Sequence, residues 1–155
     1  MATRPALGGG RGPPQPRHPM KQCIISVVVV FIASMLFDFA VHGVLLKADY
    51  AAQPNLMRTE PDAQRHFPAM LLAHAFVAVG VTAIYRRGRE AGKGWLGQGL
   101  RFGLWFAVAA CVPGFLIYYA VQPMGLVLTI KQIVFGGIAT VLLGLVVAAV
   151  NKSTA

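Results

Sequence analysis

Residues 27–46, VVVVFIASMLFDFAVHGVLL, decide the fold: they form an apolar run that still carries an aspartate and a histidine. The hydrocarbon core of a bilayer needs about 20 apolar residues to span, and counted from Cys23 this segment supplies them. Ser34, Asp38 and His42 recur at every fourth position, so a helix sets all three on one stripe. Ionisable groups inside a membrane helix are costly and turn toward protein, each other or water rather than lipid. The rest of the chain is therefore expected to receive that stripe.

Composition agrees with a membrane class. The 155 residues are 56% hydrophobic and 12% charged, with a mean hydropathy of +0.62, whereas a soluble domain carries about a quarter of its residues charged. The formal charge of +9 does not signal nucleic-acid binding. The Lys and Arg residues sit beside apolar spans, as orientation signals do, without an aromatic-interleaved basic motif. Cys23 and Cys111 form no CxxC pair. They belong to different depths of different spans, which argues against a disulfide and against thiol redox chemistry.

Reading outward gives an all-α membrane protein, an antiparallel four-helix transmembrane bundle with spans at about 23–46, 68–85, 99–120 and 126–150. Residues 1–19 are rich in Gly, Pro and Arg and are expected to be a disordered tail, with Met20 an alternative start. Residues 153–155 form a short tail at the other end. The apolar stretch is too long for a cleaved signal and no small-x-small site follows it. Between the first two spans, Thr59-Glu60-Pro61-Asp62 has the form of a helix start. It predicts a short surface helix, with Pro68 then in the first turn of the second span. Trp95 is placed at interface height, and Pro113-Gly114 predicts a kink in the third span.

The basic residues orient the chain. With the amino terminus in the cytoplasm, ten fall inside (Arg4, Arg11, Arg17, Lys21, Arg86, Arg87, Arg89, Lys93, Arg101, Lys152) and three outside (Lys47, Arg58, Arg65), with Lys131 within the fourth span. The positive-inside rule then places both termini in the cytoplasm. Membrane helices pack through small residues. Gly136, Thr140, Gly144 and Ala148 recur at fourfold spacing in the fourth span, and Gly99, Gly103 and Ala107 in the third. These stripes predict close packing, or an outward face for self-association or another membrane subunit.

Counted at 1.5 Å per residue, Asp38, His42, His74 and Lys131 all lie about 6 to 12 Å below the outer surface. Tyr118, Tyr119 and Gln132 are near the same level. An outward-facing polar cluster is expected, with Asp38 and Lys131 paired and His42 donating to the carboxylate. One reading is structural, the cluster fixing helix register. Others are a metal site from Asp38, His42 and His74, a b-type haem held by His42 and His74, or a pocket for a quinone or lipid. In that pocket Phe37, Phe39, Phe76 and Phe115 surround the tail. The inner halves of the spans lack acids and histidines, so side chains alone provide no proton relay. No nucleophile–base pair, phosphate loop or carboxylate dyad is visible, so catalysis is not expected.

In the segments VHGVLLKADYAAQPNLMRTE, HFPAMLLAH, IYYAVQP and KQIVFGG, the chain resembles a bacterial family of small four-span inner-membrane proteins of uncharacterised role. The likeness covers roughly residues 21–151. It implies a four-span protein of the bacterial inner membrane and brings no activity. The reading preferred from sequence is a non-enzymatic accessory or interaction subunit whose polar cluster holds the bundle together. The alternative is a ligand-binding or redox module.

Overall fold

The computed structural model describes residues 19–53 and 56–152; the expected amino-terminal tail, apart from Pro19, and residues 153–155 lie outside these. The described residues are helical, with no strand among them. Four helical segments are long and apolar enough to cross a membrane: Met20–Leu45, Glu60–Gly88, Trp95–Val121 and Leu126–Val150. The chain thus has the architecture of a multi-pass membrane protein.

The first span is helix α1 (Pro19–Asp38) continued by a π-helical turn, Phe39–Leu45. A short α2 (Lys47–Ala51) follows directly. The second span is α3 (Glu60–Gly88). The third is α4 (Trp95–Phe106), a π-helical turn at Ala107–Cys111, and α5 (Val112–Val121). The fourth is α6 (Leu126–Val150).

Two expectations about local structure change. The helix does begin after an extended Thr59 (φ −62°, ψ 153°), but Thr59 makes no side-chain cap bond and no separate surface helix forms. Residues 60–67 are the first two turns of α3, which runs on through Pro68. Arg58 and His66 both turn to Asp62 in this segment, Arg58 at 2.7 Å. In the third span the irregularity comes one turn before Pro113. A proline ring presses on the carbonyl four residues earlier and has no N–H to give, and the wide turn at Ala107–Cys111 accommodates both.

Close packing is concentrated between the third and fourth spans. A Cβ on Gly144 would lie 2.6 Å from Gly103 Cα and from Gly99 O, and one on Gly103 would lie 2.7 Å from Val141 Cα. The two small-residue stripes therefore face each other with backbones in contact, as close approach in a membrane requires. The fourth span is central and also packs on the first, which packs in turn on the second. Val30, Ala78, Val81, Tyr85, Leu143 and Val147 form the core between them.

A polar clamp closes the end where both termini leave the bundle. Asn151, buried at the end of α6, donates to Ser26 Oγ (2.7 Å) and Val147 O (2.8 Å). Its own oxygens accept from Arg86 (2.9 Å) and Arg89 (2.7 Å). Ser26 also meets Thr82 at 3.3 Å. Each group removed from water has a partner, the condition for burying it at little cost. Gly92 supplies the positive φ (78°) of the following turn, a conformation that glycine adopts without strain. Lys152 lies 6.0 Å over the Trp95 ring.

Candidate functional site

The second and third spans meet near the terminal end, where Tyr85 and Phe102 pack edge to face at 5.4 Å. A cavity of about 460 Å³ lies between the helices, lined by residues of all four spans. Small side chains make the space: Ala73, Ala110, Gly114, Gly136 and Ala139 come from three different helices. Phe37, Met70, Phe106 and Phe115 supply most of the apolar lining. The volume falls within the range of small-molecule sites, roughly 300–1,000 Å³.

Ser34, Asp38, His42 and His74 line the cleft, with Tyr118 also on its wall. Ser34 Oγ donates its single proton to Phe31 O at 2.9 Å. It must therefore accept from His74 Nδ1, 3.1 Å away, which fixes Nδ1 as the protonated nitrogen. His74 Nε2 stands 3.5 Å from Asp38 Oδ2, with the imidazole buried and the aspartate side chain 56% exposed. The cleft wall thus carries a buried imidazole held on one side by a hydroxyl, beside a largely uncovered carboxylate.

The remaining polar residues form a second network. Lys131 does not pair with Asp38; its Nζ bonds to Asp49 Oδ1 at 2.6 Å. A lysine on a flexible stem extends toward the surface, and α2 brings Asp49 there. His42 does not donate to Asp38 either. Its Nδ1 contacts the Tyr50 hydroxyl at 2.6 Å, and His42 itself lies in the π-helical turn rather than in a regular α-turn after Asp38. Gln132 Nε2 donates to the same hydroxyl at 2.9 Å, leaving its Oε1 buried without a partner. Burial raises the Tyr50 phenol above its ordinary pKa, against the opposing Gln132 bond. Lys131, Gln132 and Tyr119 are not on the cleft wall.

Comparison of the chain with protein-family models, curated proteins and solved structures finds no match. The site is therefore read from its own chemistry. Among the described residues no three His, Cys, Asp or Glu side chains converge to hold a metal ion. Iron ligation by His74 would cost the ring one of its two present neighbours. A small amphiphile needs no such change, since the cavity is mostly apolar with a few polar groups in its lining. Asp49, Tyr50 and Cys111 join these networks unforeseen. The signal for the first two was present in KADY, polar residues placed one turn beyond the first span.

Proposed function

We propose that the chain is a small multi-pass protein of the bacterial inner membrane, both termini cytoplasmic, that binds a membrane-soluble amphipathic small molecule in the cleft between its second and third spans. One observation carries this reading: a cavity of about 460 Å³ lies at span depth with an uncovered carboxylate on its wall. An ionisable group at that depth is costly unless something covers it. A bound molecule with a polar head and an apolar body does so. The binding is non-catalytic.

The test uses three purified proteins: wild type, Ala110→Phe to fill the cleft, and Val108→Phe on the exposed side of the same span. Organic extracts are compared by mass spectrometry, with absorbance spectra of the same preparations. An amphiphile enriched over bulk lipid is expected in wild type and Val108→Phe and lost in Ala110→Phe. Identical extracts from all three would defeat the proposal.

A second reading, an accessory subunit that packs against a partner's membrane helix, has one observation in its favour. The third span buries far less of itself against its own chain than the other three. It predicts a second membrane protein co-purifying in fixed ratio, displaced by bulky substitutions at Leu116 or Ile117, both exposed on that span.

A further inference from the structure

We infer that the cleft selects a lipophilic cation, recognised through Asp38. This rests on the cleft being a ligand site and adds the charge of what it holds. Asp38 is seven residues from the end of the first span at Leu45, about 10 Å in along the helix. Its side chain is 56% exposed and lines the cavity. Lys131, in the outer part of the fourth span, is bonded instead to Asp49 at 2.6 Å. Among the described residues no lysine or arginine lines the cleft.

The groups that face Asp38 across the cavity are His74 on the second span, Cys111 and Tyr118 on the third and Thr140 on the fourth, with His42 on its own span. None is a fixed positive charge. His74 Nε2, at 3.5 Å, lies beyond ordinary hydrogen-bond length. Three of the neighbouring donors are engaged elsewhere: Ser34 gives its proton to Phe31 O, Thr140 to Gly136 O at 2.8 Å, and His74 Nδ1 bonds to Ser34. The charged group at this level is therefore the Asp38 carboxylate, with neutral groups such as the Tyr118 hydroxyl beside it. A phosphate finds no fixed positive charge among these groups, and an anionic head would meet the carboxylate. A cationic head finds a carboxylate in a low-dielectric site, where attraction is strong, with the rings of Phe37, Phe106 and Phe115 in the same cleft to favour it further.

Tetraphenylphosphonium and tetraphenylborate, nearly identical in shape and opposite in charge, provide the test. Each is dialysed against the wild-type protein in zwitterionic nanodiscs, with uptake by empty nanodiscs subtracted. The phosphonium is expected to bind at least about tenfold more tightly than the borate. Asp38→Asn should erase that preference and Asp38→Glu retain it. Should Asp38→Asn fail to fold, the wild-type pair of affinities and Asp38→Glu decide. Equal or tighter binding of the borate overturns the inference, as does retention of neither ion. If neither is retained while an amphiphile is still lost on Ala110→Phe, the cleft remains a ligand site and only its charge preference is refuted.

Discussion

Replacing Gly144 by alanine tests the packing on which the cleft depends, because it loads one methyl group onto the tightest contact in the bundle. The new Cβ would sit 2.6 Å from Gly103 Cα, 2.6 Å from Gly99 O and 2.7 Å from Gly103 N. Carbon atoms in favourable contact are about 3.5–4.0 Å apart, so the deficit is about 1 Å. All three obstructing atoms are backbone, so no side chain can swing aside. The third and fourth spans must separate along the seam from Gly99 to Ala148. Overpacking of this kind costs typically 1–3 kcal/mol, and a rigid backbone on both sides puts Gly144→Ala near the upper end, about 3 kcal/mol. That is about a hundredfold in the folded-to-unfolded ratio. Gly137 on the same helix has nothing within 4 Å of where its Cβ would be. There alanine should be neutral or stabilising by up to about 1 kcal/mol, the difference in helix propensity. Thermal unfolding in one detergent, followed by the loss of monodisperse protein, compares the two. Equal stability for Gly144→Ala and Gly137→Ala would show that the seam is looser than these distances require.

Three further outcomes follow from other contacts. Asn151→Ala should lower stability by about 2 kcal/mol by stripping partners from Ser26 and Arg86, while Asn151→Asp, which keeps the side-chain acceptor, should lose less; detergent melts measure both. Tyr50→Phe leaves Gln132 without its one side-chain partner and should cost about 2 kcal/mol. Because burial raises the Tyr50 pKa, its contribution is complete below the ordinary phenol value and declines as pH rises through the folded one. Wild-type stability should therefore fall above about pH 10, and Tyr50→Phe should lack that step. For orientation, single cysteines replacing Met57 and Ala91, in a chain without Cys23 and Cys111, should react differently with an impermeant maleimide on whole cells. Met57→Cys should label and Ala91→Cys should not; the reverse would invert the topology.

The parts of the molecule that were legible in the sequence are those written as periodicity. Four apolar runs, and small residues at fourfold spacing in two of them, were enough to expect which helices could approach closely. Lys131 was misassigned because counting residues along a helix measures the height of a Cα, not of an ammonium on a four-carbon stem. Its head reaches Asp49 on α2, a residue that the count left in the loop. The π-helical turn at Phe39–Leu45 has no proline to announce it, and its His42 meets Tyr50 rather than Asp38. Pro68 looked like a helix start, yet α3 passes through it. A polar pocket with Asp38, His42 and His74 was expected, but not the small residues that open it: a cavity is what Ala73, Ala110, Gly114 and Ala139 fail to fill, and nothing in their spacing says that they share one space.

The division of the ionisable residues into two networks bears on what the cleft is for. Had the cluster served only to hold the helices in register, the economical arrangement was a single neutral pair, Asp38 with Lys131, closed off from lipid. Instead the lysine is neutralised by Asp49, and the aspartate lines an open cavity with the His74 imidazole 3.5 Å away. The surface network ties α2 to the fourth span through Lys131–Asp49 and Tyr50–Gln132, so it is there that substitutions should weaken the fold. Asp38 carries little of that burden, since its side chain is 56% exposed. Loss of folding without loss of the bound molecule should follow from cutting the first network, and loss of the bound molecule without loss of folding from altering the second. A purely structural cluster could not separate the two effects, which makes their separation the decisive property of this bundle.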